Sequence, residues 1–176
     1  MKYLRRTVWY LTSRLLLLCV LLGLGITIFY YAMNLTNIQI VLKDGMANRA
    51  KVIMGIADDQ DELKKYFQNS VIANDTELKA AALGNSRYEN YNIRGIDHRL
   101  EMGFLWVWPW ESSVRVTVTE SIPRIDGRVK GLKADEMIAR DGAKAVYPPE
   151  WPDAQYRILL TKEAGQWKIR SMTLMK

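Results

Sequence analysis

The one histidine of the chain, His98, is the side chain best suited to acid–base chemistry at neutral pH. Burial or a charged neighbour can tune a histidine for proton transfer. His98 belongs to a segment of alternating apolar residues, in which it would share a face with Tyr91 and Ile96. If that face points into a cavity, His98 and Tyr91 are the candidate catalytic residues.

The acidic residues nearest to His98 in sequence do not form a catalytic pair with it. Asp97 and Glu101, four residues apart on a strand, share the opposite face with Arg99 between them, which is typical of a solvated ladder of charges. A lone histidine with no carboxylate beside it is more often a satisfied structural residue. One histidine without clustered partners also cannot supply a metal-ligand set. We therefore expect no catalysis, no metal and no cofactor.

An aromatic segment, Phe-Leu-Trp-Val-Trp-Pro-Trp, occupies residues 104–110. Tryptophan is enriched at binding hot spots, so Trp106, Trp108 and Trp110 are candidates for contact with a partner protein or with the lipid interface. Alternatively, Phe104, Trp106 and Trp108 form one core-facing stripe, as their period of two allows. Both interpretations remain open, and at least one tryptophan is expected at the surface.

Trp151 is a second candidate for partner contact. It lies in a proline-rich loop at residues 148–152, which the sequence marks as irregular. The alternative is that this side chain plugs the open end of a sheet.

Residues 15–33 form an uncharged apolar run behind a basic leader at residues 1–14. As a helix, these 19 residues would be roughly 28 Å long, close to the ~30 Å hydrocarbon core of a bilayer. The leader contains four basic residues (Lys2, Arg5, Arg6 and Arg14) and no acidic one, which predicts a cytoplasmic amino terminus.

A cleaved signal peptide is the competing interpretation of this run. Its apolar region should span only ~7–15 residues and end in small residues, whereas Tyr30 and Tyr31 lead here into Ala-Met-Asn. We therefore predict an uncleaved transmembrane helix in the cell membrane, with Arg14 at the inner interface and Tyr30 and Tyr31 at the outer one. Residues 34–176 would form one extracytoplasmic domain.

The positive charge of the chain belongs largely to the leader. The whole chain has 25 basic and 19 acidic residues, and without the four leader residues 21 basic residues face the same 19 acidic ones. Nucleic-acid binding therefore loses most of its support. No cysteine follows Cys19, so the predicted outer domain has neither a disulfide nor a thiol metal site.

Three helices are expected before residue 85. Apolar spacing between residues 38 and 57 favours a helix that begins near Met46, either separate from or continuous with the membrane helix, although residues 38–42 also alternate as a strand would. Asp58 and Asp59 are candidate caps for a second helix. That helix would carry on one face Leu63, Tyr66, Phe67 and Val71.

Asn74 or Asp75 can cap a third, short helix that Gly84 ends. From Tyr91 the period changes to two, which predicts strands at residues 91–100, with a bulge at Arg94–Gly95, and at residues 104–108 and 114–119. A closing hairpin begins at Tyr156 and turns at residues 163–166. The strand order between residues 122 and 155 stays undetermined.

Helices followed by a bent antiparallel sheet indicate an α+β fold. This order, together with the ending YRILLTKEAGQWKIRSMTL at residues 156–174, resembles the nuclear-transport-factor-2-like superfamily. The resemblance covers about residues 46–176, and residues 127–152 depart from the family's simple pattern. It implies a cone-like domain with helices packed on a curved antiparallel sheet.

The resemblance implies two classes of function. Some members are isomerases or dehydratases with acid–base residues inside the cone. Others are non-catalytic, including single-pass proteins similar to assembly components of type IV secretion and conjugation machines or of sporulation channels. An anchor followed directly by the domain matches the second layout, since tethering raises effective concentration around a membrane complex.

We therefore expect a non-catalytic, membrane-anchored scaffold or assembly subunit of a cell-envelope complex. Its expected partners are the lipid bilayer, other membrane or envelope proteins and, from the resemblance alone, further copies of the chain. The alternative is a cone-fold enzyme or small-ligand-binding protein that uses a cavity around His98.

Overall fold

A computed structural model describes residues 2–57 and 60–175 of the chain. One α-helix, α1, spans Lys2–Ile53 without interruption. No proline occurs before residue 109, so nothing in this stretch removes a backbone donor from the helix. The predicted helix start near Met46 is therefore wrong, as is the strand alternative for residues 38–42, and the continuous arrangement is the one found.

The two halves of α1 have different surroundings. The helix is long and apolar enough to cross a membrane, and its most apolar 18-residue window is 0% buried against the rest of the chain. Beyond that window, one face of α1 is buried at a spacing of four residues through Ile38, Leu42, Met46 and Ala50. This periodicity is that of a helix packed on one side against a core.

The predicted second helix is divided into two pieces. A 3₁₀ turn at Gln60–Lys65 is separated from a short helix, α2, at Asn69–Asn74. Between them, Gln68 N donates to Ile169 O at 2.9 Å and Ile169 N donates to Tyr66 O at 2.7 Å. Because this backbone pairs with a strand, it cannot continue a helix, and the prediction of one helix is wrong. The candidate caps Asp58 and Asp59 lie outside the described residues.

The third predicted helix is confirmed as α3, Thr76–Ala82. Asp75 is its N-cap, and its side chain accepts hydrogen bonds from Glu77 N at 2.9 Å and Leu78 N at 3.1 Å. Gly84, at φ +68°, follows the end of the helix in the left-handed conformation that glycine adopts at low cost.

The second half of the chain forms one open antiparallel sheet. Its strands are β1 (Tyr91–Met102), β2 (Ser113–Val129), β3 (Ala154–Glu163) and β4 (Gln166–Met175). They pair in sequence order. The closing hairpin is confirmed, with Ala164 and Gly165 at positive φ between β3 and β4, as a two-residue type I′ turn requires.

The predicted bulge in β1 is confirmed. Ile93 pairs with Gly127 and Gly95 pairs with Asp126, which leaves Arg94 as the extra residue. A second irregularity separates the partners of Asp97 and Arg99. The bulge at Arg94 keeps alternate side chains of β1 on one face despite its length.

Two sequence interpretations of the sheet are wrong. Residues 104–108 form no strand, and β2 runs from Ser113 to Val129, well past the end predicted at residue 119. Pro123 lies within the second irregularity, between the paired residues Ser121 and Arg124 of β2, where no regular hydrogen-bond ladder needs its missing donor. A Cβ at Gly127 would lie 2.9 Å from Asn92 O, so the close approach of the two strands requires glycine there.

Between β2 and β3 the chain forms a helix, α4, at Ala134–Asp141, followed by the predicted loop at residues 148–152. The inward face of the sheet carries Val116, Val118, Ile158, Leu160, Trp167 and Ile169, all buried in the same core as α1. The structure is thus an α+β domain with an open four-stranded sheet and a long amino-terminal helix.

Candidate functional site

The aromatic segment at residues 104–110 follows β1 and presents its aromatic rings outward. Leu105 is 6% exposed and Val107 is fully buried, whereas Phe104 is 91% and Trp110 73% exposed. The other two tryptophans of the segment are also exposed. Since the aliphatic residues occupy the inward positions, the interpretation of the aromatic residues as a core-facing stripe is wrong.

Four rings form a continuous row that we call the aromatic ladder: Tyr31, Trp106, Trp108 and Trp110. The ring centroids of Tyr31 and Trp106 lie 4.9 Å apart, those of Trp106 and Trp108 5.4 Å, and those of Trp108 and Trp110 5.1 Å. The last pair is stacked and the middle pair meets edge to face. The Tyr31 hydroxyl also donates to Leu105 O at 3.4 Å. The ladder therefore ties the segment to α1.

Asn34 holds the backbone of the same segment. Its buried Nδ2 donates long hydrogen bonds to Trp108 O at 3.5 Å and Pro109 O at 3.4 Å, and its Oδ1 accepts from Trp167 Nε1 at 3.4 Å. Glu111 Oε2 accepts from Trp108 N at 2.7 Å. The segment is thus attached to α1 and, through Asn34, to β4.

The predicted membrane-interface residues all lie on α1. Tyr30 is exposed, and its ring meets that of Phe29 edge to face at 5.9 Å. The Arg14 guanidinium lies 5.2 Å from the centre of the Tyr10 ring. Only Tyr31 of the three contacts the aromatic segment through its ring.

Trp151 is separate from the ladder and buried. Its ring stacks on Tyr88 with centroids 6.2 Å apart, and the Arg87 guanidinium lies 5.6 Å from its centre. This position matches the loop-plug alternative and leaves little of the indole available to a partner.

His98 has a carboxylate partner that the sequence analysis did not identify. Its Nε2 lies 3.0 Å from Oε1 of Glu120 on β2, and Glu120 is completely buried. Glu120 Oε2 has no hydrogen-bond partner among the described residues. The expectation that no carboxylate accompanies His98 is therefore wrong.

The two residues proposed for acid–base chemistry are not brought together. Seven positions along β1 separate Tyr91 from His98, a distance on the order of 20 Å in extended chain. The Tyr91 hydroxyl donates instead to Ala145 O at 3.2 Å. Tyr91 therefore supports the turn after α4, while His98 pairs with Glu120.

A second buried ionic group joins α1 to α3. Arg49 Nε donates to Asp75 Oδ2 at 2.6 Å, and Arg49 Nη2 donates to Asp75 Oδ1 and Glu77 Oε2, both at 3.2 Å. Arg49 Nη1 has no partner among the described residues. Burial alone would raise the pKa of Asp75, but the hydrogen bond and charge of Arg49, with the capped backbone N–H groups, lower it below its usual value.

The Arg49 group lines a cleft of about 360 Å³ between α2 and β4. Tyr156 and Arg170 also line it, and His98 does not. Burial raises the pKa of the Tyr156 hydroxyl, with a further contribution from the Glu120 charge. At ordinary pH the cleft therefore offers a neutral phenol and two guanidinium groups.

Two of these functional positions carry a signal in the sequence. Glu120 occupies an inward position of the alternation that begins at Val114, Val116 and Val118, so its parity alone predicts a buried carboxylate. Asn34 is the first polar residue after the apolar run. The pairing of Arg49 with Asp75 has no comparable signal, because the two residues belong to separate helices.

Within residues 2–57 and 60–175, no group of three or more histidine, cysteine or acidic side chains is arranged to hold a metal ion. Comparison of the chain with family models, with curated proteins and with solved structures finds no match. Its function therefore has to be inferred from the geometry of its own residues.

Proposed function

We propose that the chain is a single-pass membrane protein whose amino terminus lies in the cytoplasm and whose domain lies outside. In this proposal it acts as a non-catalytic scaffold or assembly subunit of a cell-envelope complex, of the secretion, conjugation or sporulation type. The nuclear-transport-factor-2-like resemblance and its cone-like architecture belong to the same proposal.

The membrane anchor is supported by the exposure of α1. An apolar helical run whose most apolar 18-residue window is 0% buried would be costly to leave in water, at ~25 cal/mol per Å² of apolar surface. A bilayer covers all sides of such a helix equally. The basic leader supports the orientation, since positive residues remain on the cytoplasmic side.

The non-catalytic role is supported by how the interior is filled. Apolar side chains of α1 and the sheet form one buried cluster. The imidazole of His98 is 5% exposed and paired with Glu120, so little of it is accessible to a substrate. The three tryptophan rings of the aromatic ladder are meanwhile exposed side by side, and soluble proteins rarely place a contiguous apolar patch at the surface without a binding role.

The single observation that carries the proposal is the unburied apolar window of α1, joined without a break to the domain. The test is mild cross-linking in native membranes, followed by purification of the full chain and identification of what comes with it. A reproducible, near-stoichiometric envelope protein would support the assembly role. Recovery of the chain alone and monomeric would contradict it.

A second candidate function, acid–base catalysis or small-ligand binding, is favoured by one observation. Among the residues that the structure describes, one oxygen of the buried Glu120 carboxylate has no hydrogen-bond partner, and the other lies beside His98. Such pairs are found where proton transfer is needed. A specific activity abolished by His98→Ala in a stably folded chain would support this function over the scaffold.

A further inference from the structure

The aromatic segment has a position along α1 that the assembly role alone does not explain. The Trp106 ring lies against the Tyr31 ring at an interplanar angle of 38°, and Trp108 O accepts a hydrogen bond from Asn34 Nδ2. Both partners on α1 lie within a few residues of Met33, where the apolar run ends. At ~1.5 Å of rise per helical residue, they lie within about 3 Å of that boundary along the helix axis.

We propose that residues 104–110 seat in the outer lipid interface beside the membrane-spanning helix. Together with that helix they form a two-point attachment of the domain. This inference rests on the proposed anchor, and the partner of the aromatic ladder is the bilayer that α1 itself crosses.

The chemistry of the segment suits the interface of a bilayer. Residues 103–110 contain no charged side chain, so no ionic group has to be desolvated when they enter it. The first charged residue afterwards, Glu111, folds back onto Trp108 N at 2.7 Å. Tryptophan and tyrosine rings are amphipathic and favour the headgroup level, where one end is apolar and the other wet.

The contacts also order the segment by depth. The Trp106 ring meets α1 at Tyr31, inside the apolar run, while Trp108 and Pro109 meet α1 at Asn34, just beyond it. Phe104, at 91% exposure, precedes the Tyr31 contact in the chain. Phe104 and Trp106 are therefore expected to lie deeper than Trp110.

Such a seat would restrict the orientation of the domain. A single helix permits rotation about its own axis and a change of tilt, which interfacial aromatic residues oppose. A row of rings on one side of α1 resists tilting toward the opposite side, because that motion would lift the rings out of the interface. The outer face of the sheet would then be presented at a constant angle to the membrane.

The test uses the full chain carrying Cys19→Ser, so that one introduced cysteine can carry an environment-sensitive fluorophore. Phe104→Cys and Trp110→Cys report on the segment, and both positions are exposed enough to be substituted without disturbing the core. Leu24→Cys, within the apolar run, is the control for the bilayer. Leu83→Cys, 75% exposed, is the control for water.

Leu83 suits that control because it lies near the far end of α1. Ser86, three residues later, donates to Ile53 O at 2.9 Å. Ile53 is twenty residues beyond Met33, which corresponds to roughly 30 Å of helix.

The chain is reconstituted into phosphatidylcholine vesicles, with spin-labelled lipids as quenchers at shallow or deep positions and iodide as the aqueous quencher.

With the shallow spin-labelled lipid, we expect the fluorophore at position 104 to lose the most emission and the one at position 110 to lose less. With the deep spin-labelled lipid, we expect the fluorophore at position 24 to lose the most. Iodide should quench only position 83 strongly. Iodide quenching at 104 and 110 with lipid quenching at 24 would overturn the lipid seat and leave the anchor standing. Iodide quenching at 24 as well would overturn the anchor.

Protection of position 104 in native membranes but not in pure lipid vesicles would also overturn the lipid seat. It would assign the aromatic ladder to a protein partner instead.

Discussion

The ring of Trp106 lies 4.9 Å from the ring of Tyr31, across the gap between a loop after β1 and the middle of α1. This contact joins the part of α1 that leaves the domain to the segment that carries most of the exposed tryptophan. The contact therefore holds the end of the apolar run against the domain.

Tyr31→Ala and Trp106→Ala should show coupled losses of stability. Aromatic pairs of this geometry contribute about 0.5–1.5 kcal/mol beyond the area they bury, so the double variant should lose less than the two single variants summed. The measurement is the free energy of unfolding of the full chain in detergent micelles. Tyr30→Ala, whose ring faces Phe29, is the control and should show no coupling to Trp106→Ala.

Arg49→Met should destabilise the domain by about 3 kcal/mol, because it leaves the Asp75 carboxylate buried beside α3 without its cation. Urea unfolding, followed by near-ultraviolet circular dichroism, measures the loss. Arg170→Met at the exposed rim of the same cleft is the matched control and should change the unfolding free energy by less than ~0.5 kcal/mol. Equal effects of the two substitutions would contradict the structural role of Arg49.

The domain should become less stable as the pH falls, because Asp75 becomes protonated. Its pKa is lowered in the folded state, so its contribution is complete above the unfolded pKa of about 3.9 and is lost as the pH falls through the lower folded pKa. Asp75→Asn should reduce the unfolding free energy near neutral pH and flatten its decline below about pH 4. Arg49→Met should flatten the same curve. Parallel curves for the wild type and both variants would argue against this linkage.

His98→Ala should cost about 1–3 kcal/mol, because it removes the hydrogen-bond partner that the described part of the chain gives to the fully buried Glu120 carboxylate. Replacing both members, His98→Leu with Glu120→Leu, should recover most of the loss, since apolar residues of similar volume carry no desolvation cost. Thermal unfolding compares the variants. Asp97→Ala, at the exposed neighbouring position, is the control. A double variant that is less stable than His98→Ala would contradict this account.

Gly127→Ala should destabilise the β1–β2 pairing by about 1–3 kcal/mol. Its Cβ would lie 2.9 Å from Asn92 O and 3.0 Å from Ile93 Cα, and neither backbone atom can move without shifting β1. Gly95→Ala is the matched control in the same ladder, because nothing lies within 4 Å of the Cβ it would add. Chemical denaturation should separate the two variants clearly.

Local patterns predicted the elements that depend on local chemistry. The apolar run, the Asp75 cap, the bulge at Arg94–Gly95 and the final turn at Ala164–Gly165 are each set by residues adjacent in the chain. Such features follow from backbone geometry and the period of apolar positions, so they can be predicted before any tertiary contact is known.

Predictions from residue spacing were wrong where the segment contacts a distant part of the chain. Residues 63–71 have helical spacing, yet Tyr66 and Gln68 bond to Ile169 on β4 and the helix divides there. The aromatic residues at 104–108 have strand spacing, yet Leu105 and Val107 take the inward positions and the rings turn outward. In both cases a long-range contact outweighs a weak local preference.

The sequence by itself determined that an apolar helix precedes an α+β domain, because length and periodicity are properties of single segments. Only the tertiary structure decided that Glu120 faces His98, that Arg49 reaches Asp75 and that the tryptophans align with Tyr31. Each of these pairs joins residues far apart in the chain. Glu120 meets His98 through the register of β1 and β2, whereas the other two pairs depend on how α1 packs against the rest of the domain. No spacing within one segment encodes either arrangement.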